Sequence, residues 1–179
     1  MEILVLGSGT SHGVPMIGCS CKVCTSTNPK NRRYRTAVFV REGDATVLID
    51  APPELRLQLI ENGITHTDAV LFTHTHADHV FGLDDIRRIN DLSGKAMPIY
   101  GKQKVLNDIK RVFRYAFKQT QLAGGKPNIN LMPINGPFRV NGLKVEPLKV
   151  YHGSFSIWAF RFGGFAYVTD VSRIPQKSV

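Results

Sequence analysis

Three histidines and an aspartate fall within six positions, His74 to His79, in the stretch LFTHTHADHVFG at residues 71–82. The chain holds six histidines, so half of them stand directly behind one apolar run. On an extended backbone, residues two apart point to the same side, and His74 and His76 can therefore converge on one ion. Asp78 and His79 follow where the chain turns towards a helix, and can face a second ion beside the first. Imidazole suits zinc, iron and nickel, while a carboxylate adds harder character and tolerance of manganese. Two neighbouring cations can deprotonate a water, polarise a phosphoryl or carbonyl oxygen and stabilise a leaving oxygen, which is hydrolase chemistry. A merely histidine-rich polar loop is the plainer reading, and three imidazoles at ligand spacing argue against it.

A dinuclear site needs further donors. His152 follows LKVEPLKVY and Asp170 follows FAYVT, each at the end of an apolar strand. Asp50 ends TVLID, where a carboxylate could orient a ligating histidine from behind. Taken singly, each has a simpler use as a surface histidine, a turn residue or a helix cap. Sulfur supplies a separate group: Cys19, Cys21 and Cys24 are the only cysteines and lie within CSCKVC. The opening MEILVLGSG lacks the basic region and cleavage pattern of a signal peptide, and no apolar run approaches a membrane span. Cytoplasmic residence is the resulting expectation. In that setting an odd cysteine cluster reads as metal binding more readily than as a disulfide. Three thiolates on zinc would also order a loop that has little core of its own.

Behind these residues stands an ordinary globular composition, 179 residues with 42% hydrophobic and 21% charged, long enough for one domain over 1–179. EILVLG reads as a strand entering a long aperiodic loop, residues 7–33. TAVFVREGDATVLID reads as a hairpin turning at Glu42-Gly43-Asp44, and PELRLQLIENG as a helix. DAVLF and MPIYG are strands on either side of a short helix in GLDDIRRIN. Residues 102–118 form the clearest helix, with Val105, Ile109, Val112, Phe113 and Ala116 inward and Lys102, Lys110, Arg111, Arg114 and Lys118 outward. INLMPI, FRV, LKVEPLKV, SIWAFRF and FAYVT follow as strands, with Asn141-Gly142 and Gly163-Gly164 as turns. Helices mixed with hairpins predict an α/β or α+β sandwich. The net charge of +9 favours anionic substrates or nucleic acid, against the plain reading of a basic solvated surface.

THTHADH is the H-x-H-x-D-H signature, and the chain resembles the metallo-β-lactamase family of dinuclear hydrolases on this and four further segments. LVLGSGTSHGVPMIGCSCKVCTS, LIDAP, YH near 152 and YVTDVS near 170 occur in the order the family uses. The cysteine-bearing opening resembles the subfamily of phosphonate-pathway cyclic phosphodiesterases. The resemblance implies an αβ/βα sandwich of two mixed sheets flanked by helices. It implies that His74, His76 and His152 hold one divalent ion, Asp78 and His79 a second, and that Asp170 bridges both, with zinc or manganese as the metal. Asp78 and His152 count as catalytic residues as well as ligands, because a hydroxide between the ions would be the nucleophile. Cys19, Cys21 and Cys24 would bind a structural zinc, with a histidine as fourth ligand.

The family continues beyond the strand that ends in the bridging aspartate and carries later histidines, whereas this chain stops at DVSRIPQKSV with His152 as its last histidine. The fold is therefore expected to be C-terminally incomplete and the second ion to be short of one ligand. The chain alone would be nearly inactive, and uncovered apolar surface would favour a homo-oligomer or a complementing C-terminal segment. The fourth ligand of the cysteine site would be water, His12 or a residue of another chain. His12, in GTSHGVP, could also contact substrate, and His66 reads as a surface residue.

The favoured function is a metal-dependent phosphodiesterase acting on a small cyclic or nucleotide-like phosphodiester, with Lys30, Arg32, Arg33 and Arg35 as basic residues that could attract phosphate or simply face solvent. A tRNA 3′-processing endonuclease of the same fold suits the charge, but no inserted basic, glycine-rich arm is present to grip tRNA. A non-catalytic, zinc-stabilised nucleic-acid-binding module would explain the cysteines and the basic helix, and would leave H-x-H-x-D-H without a use. Nucleic acid is thus the less favoured partner, and no membrane is expected.

Overall fold

In a computed structural model describing residues 1–118 and 125–178, the chain forms two sheets, one of them backed by helices. The first contains β1 (Glu2–Gly7), β2 (Ala37–Glu42), β3 (Ala45–Ile49), β4 (Ala69–Leu71), β5 (Met97–Gly101) and β6 (Ile129–Pro133), side by side in chain order. β1 to β3 are antiparallel, and β3 to β6 run parallel. Parallel neighbours need crossovers. These are α1 (Leu55–Glu61), then α2 (Ala77–Val80) with α3 (Ile86–Ser93), then α4 (Gln103–Val112) with α5 (Arg114–Phe117).

The second sheet holds β7 (Phe138–Val140), β8 (Leu143–His152), β9 (Phe155–Phe162) and β10 (Phe165–Tyr167), in the order β10-β9-β8-β7. It is antiparallel throughout, so the expectation of two mixed sheets holds for the first sheet and is corrected for the second. The reason is connection length. Asn141-Gly142, Gly153-Ser154 and Gly163-Gly164 leave room only for tight turns, which join antiparallel strands. Asn141 and Gly142 both take positive φ, 45° and 90°, as a two-residue hairpin of this kind requires.

Alternation of side chains sorts the first sheet into two cores. Ala37, Phe39, Leu48 and Val70 face the helices, against Leu55, Ile86, Leu106 and Ile109. Val38, Val40, Val47, Ile49, Ala69 and Leu71 face the second sheet, against Val145, Phe160 and Phe162. β3 and β4 are buried on both faces, which is why their sequences are apolar but for Thr46.

The helix expected over 102–118 is interrupted. Phe113, at φ −96° and ψ 40°, ends α4, and α5 starts afresh at Arg114. The buried stripe is centred on Leu106, Ile109 and Phe113, so Val112 falls at its edge and remains 50% exposed. Among the described residues no helix is long and apolar enough to cross a membrane.

Strand ends bring the polar residues together. Asp50 follows β3, and its N–H donates to Leu71 O at 2.9 Å. The stretch beyond β4 is tied to the second sheet by Trp158 N–H, which donates to Thr73 O at 3.2 Å. α2 is fixed by Ala51 N–H to His79 O at 2.7 Å and by Gly82 N–H to Ala51 O at 2.9 Å. This approach needs glycine, because a Cβ at position 82 would stand 2.0 Å from Pro52 O. Gly82→Ala must therefore part α2 from residues 51–52. It should destabilise the fold by about 1–3 kcal/mol, the usual range for overpacking. Urea unfolding should show a lower midpoint at unchanged slope, and an unchanged midpoint would mean that the two segments separate without cost.

Candidate metal centre

Past β4 the chain bends at Thr73 and reaches His76, which holds the N-cap position of α2 on extended backbone at φ −62° and ψ 149°. His74 and His76 thus project from the segment before the helix, and Asp78 and His79 from the helix itself. This change of backbone lets one short stretch feed two donor groups. His152 is the last residue of β8, and Asp170 lies just past β10. Donor atoms of His74, His76, His152 and Asp170 lie within 4.8 Å of one another, as do those of Asp78, His79 and Asp170. Asp170 belongs to both groups. The His152 ring centroid is 5.6 Å from that of His74 and 5.2 Å from that of His76.

One carboxylate orients the inner imidazoles. Asp50 is fully buried and accepts from Thr73 N–H at 2.9 Å and from His79 Nδ1 at 2.8 Å. Thr73 Oγ1 also donates to Asp50, 2.9 Å from Oδ2. With its single proton spent on Asp50, that hydroxyl can only accept from His74 Nδ1, 3.0 Å away. Nε2 of both histidines is thereby turned towards the cluster, the ring nitrogen left for a metal once any proton on it is displaced. Thr73 was not legible as part of the site from sequence, and its position beside His74 was the only available signal.

The electrostatics of the cluster call for a cation. His79 Nε2 lies 2.8 Å from Asp170 Oδ2 and 3.5 Å from Asp78 Oδ2, yet it is buried without a properly directed hydrogen bond. Donor atoms this close fit an ion shared by all three. Burial works against charge on His79, but Asp50 and Asp170 outweigh it and lift the imidazole to about 10, a proton standing where another cation could sit. Burial and the neighbouring His79 hold His74 down at about 4, neutral and ready to ligate. The close approach of His79 brings Asp170 down to about 2.

Both carboxylates sit on uncommon backbone. Asp50 has φ 62° and Asp170 φ 51°, and Asn141 in a hairpin turn is the only other described non-glycine residue with positive φ. Left-handed backbone is disfavoured for residues with a Cβ, though less so for Asp and Asn, and its concentration here is the pattern of a functional site.

The cysteines also converge. Cys19, Cys21 and Cys24 bring their sulfurs within 4.8 Å of one another and form no disulfide. Met16 N–H donates to Cys24 Sγ at 3.4 Å and Cys24 N–H to Cys21 Sγ at 3.5 Å. The Cys24 amide and then the Cys19 thiol draw the Cys21 thiol down to about 7, towards the thiolate that binds metal. Among the described residues the group has three members. His12 is not one of them, nor does it line either cavity beside the histidines. Arg35 is engaged elsewhere, paired with Glu54 and bonded to Ser11 O at 2.8 Å. His66 is exposed and 3.2 Å from Asp68.

The family model of the Beta-lactamase superfamily domain matches residues 45–179. A crystal structure of a diphosphatase of the PhnP family is 40% identical, with a TM-score of 0.89 over 98% of this chain and 67% of that one. An octanoyltransferase of Porphyromonas gingivalis is 38% identical over 182 residues, all of this chain and 36% of that protein. Coenzyme PQQ synthesis protein B of Methylobacterium radiotolerans is 33% identical over 129 residues, 63% of this chain and 42% of that protein. The match thus covers less than half the length of each of these two curated relatives.

The two His/Asp donor groups differ, four ligands against three, and zinc titration of the apoprotein should resolve two steps besides that of the cysteine group. Asp50→Asn should weaken the step served by His79 about 10–100-fold, the usual cost of losing the partner behind a ligand. A calorimetric trace identical to the parent would remove Asp50 from the site. For the cysteines, thiol reagent should modify all three rapidly only after chelator treatment. Equally fast modification with zinc present would mean that they bind none.

Proposed function

The chain belongs to the beta-lactamase superfamily, and from that membership we propose that it is a metal-dependent phosphodiesterase acting on a small cyclic or nucleotide-like phosphodiester. The sharing of Asp170 between the two donor groups is the observation that carries this reading, since it supports a pair of ions rather than one. The 40% identity to a PhnP-family diphosphatase supports phosphorus as the centre attacked.

In this reading His74, His76, His152 and Asp170 hold one divalent ion, Asp78, His79 and Asp170 the other, and zinc or manganese suits the mixed donors. Bound there, the ions would activate a water for attack and draw charge from the phosphoryl oxygens. The residues of the chain set the stage for that. Asp170 Oδ2, 2.8 Å from His79 Nε2 and 3.3 Å from His74 Nε2, spans the two groups and keeps them side by side. Asp50 and Thr73 fix the inner imidazoles from behind. Asp78 is only partly buried, so its carboxylate can accept the proton of the attacking water. His152 completes the four-donor group from the second sheet. His76 and Asp170 are exposed, which opens the centre to substrate. The cysteine group would hold a structural zinc that orders its own loop.

Because His76 is exposed, its removal should spare the fold. His76→Ala should lower manganese- or zinc-dependent hydrolysis of bis-p-nitrophenyl phosphate by about 100-fold or more, as even residues behind a ligand cost 10–100-fold. Thermal melting of the apoprotein should be unchanged. A metal-dependent parental activity that survives intact in the variant would refute the assignment.

A further inference from the structure

Hydrolysis of a phosphodiester moves two protons, and Asp78 accounts for the one that leaves the attacking water. The departing oxygen carries away an electron pair and needs a proton of its own. A cavity of about 500 Å³ opens beside the four-donor group, and its wall holds few side chains able to supply one. His74, His76 and His152 stand there, but as ligands they have no proton to spare. Asp108 is occupied by Arg111 at 3.0 Å and Thr75 at 3.4 Å. Lys104 is exposed, with its ammonium 5.8 Å from the centroid of the Phe155 ring. Lys102 remains, and it is held in place. It immediately precedes α4, and its Nζ donates to the carbonyl and hydroxyl oxygens of Ser156 in β9 at 2.7 and 2.6 Å. The same ammonium stands 4.4 Å from the centroid of the Trp158 ring. Two of its three N–H bonds are thus spent on neutral partners, and among the described residues nothing accepts the third.

We propose that Lys102 is the general acid of this site, its ammonium protonating the leaving oxygen as that oxygen parts from phosphorus. The oxygen of the attacking water bonds to phosphorus, and the bond from phosphorus to the leaving oxygen breaks. The electron pair of that bond stays on the leaving oxygen, which takes the Nζ proton. The neutral amine is then recharged from solvent, and the proton lost by the attacking water keeps the balance. The charged groups around Lys102 suit it to give a proton up. Lys149 on β8 and Lys104 on α4 are both positive, His152 ends β8 as a ligand, and Asp108 is paired elsewhere. Burial, and after it Lys149, holds the amine below its ordinary range, at about 8, near the pH at which an acid works best. This rests on the phosphodiesterase reading and adds a substrate class to it. Esters of ordinary alcohols and weakly acidic phenols, whose oxygens leave badly without a proton, come within reach.

The test compares two diesters of equal charge and similar shape, bis-p-nitrophenyl phosphate and diphenyl phosphate, both with manganese. p-Nitrophenolate leaves well as the anion, whereas phenolate is more basic and gains from a proton. Lys102→Gln should lower kcat for diphenyl phosphate about 100-fold, the lower end of what a general acid contributes, with KM nearly unchanged. The loss on bis-p-nitrophenyl phosphate should be at least about tenfold smaller. Lys102→Arg keeps the charge but holds its proton, so it should be as slow as Lys102→Gln on diphenyl phosphate. Recovery by arginine, or equal losses on both esters, would show that Lys102 acts by charge or only pins β9 to α4, and would overturn the proposal. Because the acid works protonated, the ratio of the parental rates, diphenyl over bis-p-nitrophenyl, should fall as pH rises past about 8. A flat ratio would count against the proposal as decisively. Competitive acetylation of the metal-free protein gives a reading independent of turnover. Lys102 should titrate with a midpoint near pH 8, and a midpoint above about 10, the ordinary lysine range, would overturn the assignment. A parent that hydrolyses bis-p-nitrophenyl phosphate and leaves diphenyl phosphate intact would overturn it too. If the parent hydrolyses neither ester, the phosphodiesterase reading fails, and the acetylation midpoint still decides whether Lys102 is poised as an acid.

Discussion

The buried carboxylate of Asp50 is the interaction on which the centre depends. It accepts from a backbone amide, a hydroxyl and an imidazole, and so uses its lone pairs inside the protein instead of in water. A bare carboxylate in that place would be prohibitively costly. Through His79 directly and His74 by way of Thr73, it sets which nitrogen of each ring carries a proton. Asp50 touches nothing in the open cavity, yet it decides what the residues that do can bind.

Around this point the two sheets act as separate suppliers. The first provides Asp50 and the H-x-H-x-D-H stretch from the ends of adjacent parallel strands, β3 and β4. The second provides His152 and Asp170 from the ends of β8 and β10. Their shared core of Val47, Ile49, Leu71, Val145 and Phe160 therefore serves more than stability, because it sets the distance between donors. The hydrogen bond from Trp158 to Thr73 O joins the suppliers at the site itself.

Much of this was legible in the sequence where the information is local. H-x-H-x-D-H carries its own geometry, since a spacing of two on extended chain followed by a helical turn needs no distant contact to interpret. A hairpin pattern marked β3 and an apolar run marked β4, and strand-end positions singled out Asp50, His152 and Asp170. Thr73 stayed hidden because its part lies in where one proton goes, which residue type does not record. Lys102 read as one of a row of basic residues on an outer helix face. Only the packing of β9 against the start of α4 turns it into a cavity. The break at Phe113 was equally invisible, because apolar spacing continues past it to Ala116.

The division of the four-donor group between the sheets has a bearing on how the protein would acquire metal. His74 and His76 are neighbours on the chain and can chelate at any stage of synthesis, but His152 and Asp170 join them only after the second sheet has been made and both sheets have closed. Full coordination is then a late event, and the unfolded chain competes for the ion with a fraction of the native ligand set. The difference in affinity between those two states is returned as resistance to unfolding whenever metal is plentiful. An ion recruited for chemistry would also serve as the last fastening between two halves of the fold.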